Sequence, residues 1–410
     1  MKIAFVTPRM IVGGAETYVL RKSKWLIEHG HEVVVISEGG CFVESLPNGA
    51  RHIQIKNIDT PSYALTRKES YEVKQSLVNA LLNEKVEIIE AHNPFPIVYV
   101  FMTYAIHKIP FLLNVLSELS YNRNIELIII TRILNSIGKY YTLTSRMNAY
   151  IEKKCKQKLH PTIIPIPLEE YIHTSKSLKK PNPEYILTVA RLAPDKMYIK
   201  YLVKDFAYLH EKNLIKKDIS LFIIGDGPLK QEVFELANSI NISLQKDVIK
   251  LLGTVTGNEL DEIYSKCSLY IGVGTTMLIA ASHHRPTIMA SGLYQKYAFG
   301  FWGSEPEKDK NAIGGDDTMF YKRQSFKQII QDFFSYPINK RQEFGDQAYQ
   351  LFKQHFDLNV IMPKWEYVYS ETSKIKRMPL YIKIKMLLLF NLFIKPFYSL
   401  YRFFKLKFAQ

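Results

Sequence analysis

Two short runs rich in β-branched and apolar residues, 3–7 and 185–190, each lead into a helical pattern, and each is followed by residues suited to an anionic ligand. Gly13, Gly14, Ala15 and Glu16 follow the first run; Arg191 and Lys196 follow the second. An apolar run that passes directly into a helix is the start of a βα unit. A parallel sheet built from such units takes its ligand at the carboxyl ends of its strands, where helix N-termini present free N–H groups and the positive end of a dipole. The two openings therefore predict an α/β protein of two Rossmann-like halves whose parallel sheets face one cleft, with phosphate as the natural guest.

The length agrees with two halves, because 410 residues exceed one ordinary core at roughly 100–200 residues per domain. After the first βα opening, strands are expected at 33–37, 86–91, 111–116 and 140–145, with helices at 72–82 and 125–137, and 162–167 closes this half. This alternation argues for right-handed βαβ crossovers. Residues 174–183, with Ser, Lys and two prolines, read as a linker between a first domain at 1–173 and a second at 184–350. Further strands are expected at 219–224, 248–252, 269–271 and 287–290, helices at 201–210, 230–237 and 326–334, and a surface loop at 307–317. A C-terminal helix at 351–375 is expected to pack back towards the N-terminal domain, ahead of a tail at 376–410.

Charge placement singles out that tail. The chain carries 54 Lys and Arg against 39 Asp and Glu, a net +15, and from Lys374 onward there are nine basic residues and no acidic one. The longest uncharged apolar stretch of the tail, 386–394, is far short of the roughly 20 residues a spanning helix needs. Bulky Leu, Ile and Phe alternating with Lys and Arg instead suit the surface of an anionic membrane. A nucleic-acid patch is the less fitting reading of the same pattern, and an arm packed on the core stays open. The three cysteines, Cys41, Cys155 and Cys267, are widely spaced and fit neither a disulfide framework nor a zinc site. The opening run at 2–6 is too short for a secretory signal, so a reducing, cytoplasmic setting is expected.

Several residues could meet a ligand. Gly13 and Gly14 let a backbone approach a diphosphate, although an ordinary tight turn uses the same pair. Arg191 can fork onto a phosphate while Lys196 supplies a point charge; alternatively both are solvated loop cations. Gly225, Asp226, Gly227 and Pro228 make a sharp turn after a strand. At 272–276, the backbone of Gly272 and Gly274 and the hydroxyls of Thr275 and Thr276 could hold a sugar or phosphate.

The runs from Ile186 through Val189, Ala190 and Arg191 to Lys196, from Ile223 through Gly225 and Gly227 to Leu229, and from Gly253 and Val255 to Tyr264 resemble the carboxyl-terminal domain of retaining glycosyltransferases of family four. The first 30 residues resemble the amino-terminal opening of those enzymes, and the likeness spans roughly residues 1–370. It implies a GT-B fold, a UDP- or GDP-sugar donor held mainly by the second domain, and an acceptor held mainly by the first. It also implies catalysis without a metal or other cofactor, with Arg191 and Lys196 neutralising the departing diphosphate. Gly13, Gly14, Gly225, Gly227, Gly272, Gly274, Thr275 and Thr276 would line the donor, Val255 would lie against the base, and Glu16, His92 and Asn93 would meet the acceptor.

The sequence departs from the family at two places. Both positions of its Glu-x7-Glu signature hold isoleucine, Ile271 and Ile279, and the histidine expected after the strand at 111–116 is Leu116. His92 is the nearest replacement; it either contacts a sugar or is a packing histidine. His283 and His284, adjacent but without a third ligand, are a weak metal signal. The resulting expectation is a retaining transferase, peripheral on the inner face of the cell membrane. It would move a sugar to a lipid-linked glycan in cell-surface polysaccharide assembly such as capsule or O-antigen, beside partner transferases and without nucleic acid. The alternative is an inactive relative serving as a scaffold or regulatory partner.

Overall fold

The computed structural model describes residues 1–11, 13–122, 124–171, 184–291, 296–310, 312–314, 321–375 and 378. The expected linker at 174–183 and, Met378 apart, the tail at 376–410 lie outside the described residues. The chain divides into two compact units: Met1–Pro167 joined by the described residues from Ile361 onward, and Leu168–Val360.

In the first unit, strands and helices alternate: β1 (Lys2–Val6), α1 (Gly14–Glu28), β2 (Glu32–Ser37), β3 (Ala50–Gln54), α2 (Arg67–Asn83), β4 (Ile88–His92), α3 (Pro96–His107), β5 (Phe111–Val115), α4 (Ile125–Asn135), β6 (Tyr140–Thr142), α5 (Ser145–Cys155) and β7 (Thr162–Ile163). They form one sheet in the order β3-β2-β1-β4-β5-β6-β7, parallel at every pairing. Helices on a parallel sheet bury its strands on both faces, which is why β4 and β5 are buried along their whole length. Helix starts are marked locally: Thr66 and Glu69 form a reciprocal capping box at α2, and Thr144 accepts the Met147 N–H at α5. That cap explains why β6 stops at Thr142 rather than running to residue 145.

The second unit repeats the scheme with β8 (Tyr185–Val189), α6 (Tyr198–Glu211), β9 (Ser220–Ile224), α7 (Lys230–Leu244), β10 (Ile249–Gly253), α8 (Gly257–Lys266), β11 (Leu269–Gly272), α9 (Thr275–Ser282) and β12 (Thr287–Ala290). It continues through β13 (Tyr297–Phe301), α10 (Pro306–Asp309), β14 (Gln324–Ser325), α11 (Phe326–Ser335) and α12 (Ile338–His355); α13 (Leu358–Ser373) follows. The sheet order is β10-β9-β8-β11-β12-β13-β14, parallel as far as β12 and antiparallel for the last two strands.

Of the segment expected as a surface loop at 307–317, residues 311 and 315–317 lie outside the described residues, and the described part is only partly a surface loop. Asp309 is buried at the end of α10, where its carboxylate accepts the Gly303 and Glu305 N–H groups and the Tyr321 hydroxyl. The Trp302 indole donates to the Ala312 carbonyl at 2.8 Å. A buried carboxylate with three donors fastens the segment to the core.

Candidate functional site

In an open α/β sheet the ligand site lies where the strand order reverses. For the second unit that point is between β8 and β11, since the chain proceeds from β8 outward to β9 and β10 and then returns to the other side of β8. The loop after β8 carries Arg191 and Lys196. Arg191, with its side chain 70% exposed, places Nη2 3.2 Å from Asp195 Oδ1, and Lys196 Nζ lies 3.3 Å from Asp195 Oδ2. Two cations of different shape thus hold the two oxygens of one carboxylate. Partial burial by itself pushes the Asp195 carboxyl up, but Lys196 and Arg191 outweigh it and keep the pKa below the usual value.

The shape of this loop is set from the neighbouring strand. Gly225 (φ +140°) follows β9, and a Cβ there would stand 1.9 Å from the Ala190 carbonyl oxygen; at Gly227 (φ +148°) it would stand 2.5 Å from that of Leu192. Glycine is required at both on two counts, conformation and space. The Leu192 N–H donates to the Asp226 carbonyl at 2.8 Å, and the Leu229 N–H donates to the Leu192 carbonyl at 2.9 Å. Gly225 also donates to the Gly253 carbonyl at 2.7 Å, which carries the bracing on to the turn before the half-buried Val255. Gly225 and Gly227 therefore position the Arg191 loop through backbone contacts.

Across the switch point, β11 ends at Gly272 and α9 begins three residues later, at Thr275. Gly274 (φ +70°) donates its N–H to the Ile313 carbonyl. The Thr276 hydroxyl accepts from Tyr270 at 2.7 Å and donates to the Val273 carbonyl at 3.1 Å, while Thr275 is half-buried in the first turn of α9. Ile271 is wholly buried within β11, paired with Ile288, and Ile279 packs half-buried against the core on α9. Both signature positions are packing positions in this chain.

The same geometry in the first unit puts the reversal between β1 and β4. Gly13 caps α1 in extended conformation, and Glu16 folds back over that helix N-terminus, its Oε2 standing 2.4 Å from where a Gly13 Cβ would be. Among the described residues, and apart from its chain neighbours and its own helix backbone, nothing lies within 4 Å of a Cβ built on Gly14. Burial, with a smaller contribution from Asp59, raises the Glu16 carboxyl above its ordinary pKa.

His92, expected at a sugar, is buried completely at the end of β4, with Nε2 3.0 Å from Glu90 Oε1. The structure makes it part of a core network that the sequence reading missed. Glu90 also receives Asn114 Nδ2 at 2.8 Å, Lys22 Nζ at 2.7 Å and the Tyr369 hydroxyl. Lys22, on α1, lies 3.0 Å from the Tyr18 hydroxyl and 3.5 Å from the centroid of the Trp365 ring. Burial pulls the Lys22 ammonium down to about 8 against the opposing pull of Glu90. The Glu90 carboxyl is held down at about 2: burial alone would raise it, and Lys22 and His92 outweigh that. The i, i+4 spacing of Tyr18 and Lys22 on α1, together with a glutamate inside the apolar strand at 88–92, was the available signal. Asn93 is likewise committed, donating to the Ser117 carbonyl and accepting the Leu116 N–H at 3.0 Å, and so ties the loop after β4 to the loop after β5.

His283 and His284 diverge. His283 is buried and stacks with Tyr171 and Tyr264, whereas His284 stacks on Tyr349 and bonds Asp346 at 3.2 Å. Among the described residues, no group of three His, Cys, Asp or Glu side chains is disposed to hold a metal ion. None of the described helices is long and apolar enough to cross a membrane.

Comparison with known proteins follows the same division. Residues 12–160 match the family Glycosyltransferase Family 4, and residues 172–273 match Glycosyl transferases group 1. No curated protein matches the sequence. Among solved structures, a glycosyltransferase from Rickettsia africae is 16% identical with a TM-score of 0.67, over 91% of this chain and 98% of that one. HepE from Anabaena, in complex with UDP and glucose, is 14% identical with a TM-score of 0.65, over 90% of this chain and 100% of its own. Sucrose-phosphate synthase from Thermosynechococcus elongatus is 14% identical with a TM-score of 0.63, over 90% and 98%. These likenesses show the fold, two α/β units of GT-B type.

Proposed function

We propose that this chain, a glycosyltransferase of the family-four, GT-B type, uses Arg191 and Lys196 to hold the diphosphate of a nucleotide-sugar donor, UDP- or GDP-linked, and to neutralise it as the sugar departs. The observation that carries this reading is the convergence of both cations on the single carboxylate of Asp195 beside the switch point of the second sheet. Positions that gather around one anion within the chain are placed to gather around a diphosphate. Such charges favour the separated leaving group more than the intact donor, which is where catalysis comes from. The first turn of α9, with Thr275 half-buried, offers N–H groups to the sugar or phosphate. HepE, solved with UDP-glucose, supports a nucleotide donor.

The transfer retains configuration and uses no metal, the diphosphate assisting the acceptor hydroxyl. The acceptor is a lipid-linked glycan, assembled into a surface polysaccharide at the cytoplasmic face of the membrane. His92 and Asn93 support the first unit from within its core rather than touching the acceptor.

Calorimetric titration with UDP, GDP and their sugar conjugates tests the donor assignment. One nucleotide binds, and Arg191→Ala weakens it at least tenfold with an unchanged unfolding midpoint. Indifference to Arg191→Ala overturns the role of the cations. A second reading, an inactive scaffold for another transferase, is favoured by the core positions of Ile271 and Ile279, which leave no carboxylate where the family places two. Absence of binding across the whole panel selects it.

A further inference from the structure

The helix α4 reads Ile125-Glu-Leu-Ile-Ile-Ile-Thr-Arg-Ile-Leu-Asn135, and it is aliphatic on two sides: Leu127, Ile130 and Leu134 are buried in the core, and isoleucines also occupy the opposite side. Glu126 is buried, bonded to the Ser62 hydroxyl at 3.2 Å, while Ile125 is 52% exposed. Ile128, Ile129 and Ile133, which fall on the same face by helical spacing, are only half-buried. Just before the helix, Leu119 is 59% exposed. A surface helix normally turns its charges outward and its aliphatic residues in; one with isoleucines outward is built to meet something apolar.

The neighbouring helix supplies charge. The end of α5 adjoins the end of α4: the Arg132 guanidinium donates to the Cys155 carbonyl, and the His160 N–H donates to Asn135 Oδ1 at 2.6 Å. Lys153, Lys156 and Lys158 are exposed there. Between residues 118 and 160 the chain carries eight Lys and Arg against three Glu, of which Glu126 is buried and Glu118 is paired with Arg146.

We propose that the α4–α5 face of the first unit is a docking surface for an anionic lipid bilayer, its isoleucines entering the headgroup boundary and its lysines meeting the lipid phosphates. Charge complementarity favours this occupant. A second copy docked on the same face by two-fold symmetry would bring the same lysines together, which like-charge repulsion opposes. The surface deepens the membrane side of the function proposed above, and it places lipid contact on a folded domain independently of the tail.

The test is co-sedimentation of the full chain with vesicles of phosphatidylcholine alone or of phosphatidylcholine and phosphatidylglycerol in equal parts. Two variants accompany it: Leu119→Asp/Ile125→Asp and Lys153→Glu/Lys156→Glu/Lys158→Glu. The wild type pellets with the anionic vesicles only, and each variant lowers the bound fraction at least fivefold while keeping the wild-type circular dichroism spectrum and nucleotide affinity. Equal partitioning of all three proteins, or no partitioning of the wild type, overturns the surface while leaving the donor assignment to its own titration. A wild-type dimer converted to monomer by Leu119→Asp/Ile125→Asp overturns it in favour of a contact between copies.

Discussion

Each unit gathers a small set of charges at or just beyond a strand adjoining its switch point, and the two sets differ in what surrounds them. In the first unit Lys22 and Glu90 are wholly buried and every charge is met: the carboxylate has four donors, and aromatic rings enclose the ammonium. In the second, Arg191, Asp195 and Lys196 stand on a loop in contact with solvent, with two cations sharing one carboxylate and a net positive charge left over. A buried charge set that is complete has nothing to offer a ligand and holds the fold together. An exposed set with an excess cation can exchange its internal anion for an external one. The contrast agrees with a structural role for the first set and with the binding role proposed above for the second.

The largest expected effect breaks the first set. Lys22→Met leaves Glu90 charged and uncompensated in the core, which costs about 3–5 kcal/mol of unfolding free energy by urea titration. Combining it with Glu90→Gln should lose less than the two single variants together, because the second change removes the orphaned charge. Arg191→Ala comes next and acts on the other property. It lowers nucleoside diphosphate affinity by about 1.5–3 kcal/mol, the range for hydrogen bonds to charged groups, and leaves stability within about 0.5 kcal/mol. If Arg191→Ala unfolds the chain or Lys22→Met leaves it intact, the contrast fails.

A smaller, pH-dependent effect sharpens it. The folded pKa of Glu90, about 2, lies below its ordinary value of 4.5, so the folded state binds fewer protons than the unfolded one between the two. The associated stability is complete above pH 4.5 and is lost as the pH falls towards 2. Unfolding free energies measured across that window should fall for the wild type and be flatter for Glu90→Gln. The least effect is expected from Asp195→Asn. Removing the internal competitor should tighten diphosphate binding by roughly two- to fivefold, under about 1 kcal/mol for so exposed a group.

What could be read from the sequence follows from these environments. The strands that open the βα units announce themselves because runs such as Ile3–Val6 and Ile186–Val189 have no solvent face to serve. Other elements, β3 and α3 among them, did not. The strand β3, Ala-Arg-His-Ile-Gln, is an edge strand with polar residues and no apolar run, and α3 is apolar on all sides, so that no helical period marks it. That Arg191 and Lys196 lie close together could be read locally, because they are five residues apart with their common partner Asp195 between them. The sequence left His92 open between a sugar contact and a packing role, because the groups around it, Lys22, Asn114 and Tyr369, come from distant parts of the chain. The isoleucines of the signature segment looked like a lost ligand contact; the register of β11 with β12 shows Ile271 to be core.

The central claim is that Arg191 and Lys196 form the seat of a diphosphate now occupied by Asp195. A crystal structure of the chain with bound UDP tests it most directly. The account predicts phosphate oxygens within hydrogen-bonding distance of both the Arg191 guanidinium and the Lys196 ammonium, with the Asp195 carboxylate displaced. UDP bound elsewhere, with both cations still holding Asp195, would contradict it.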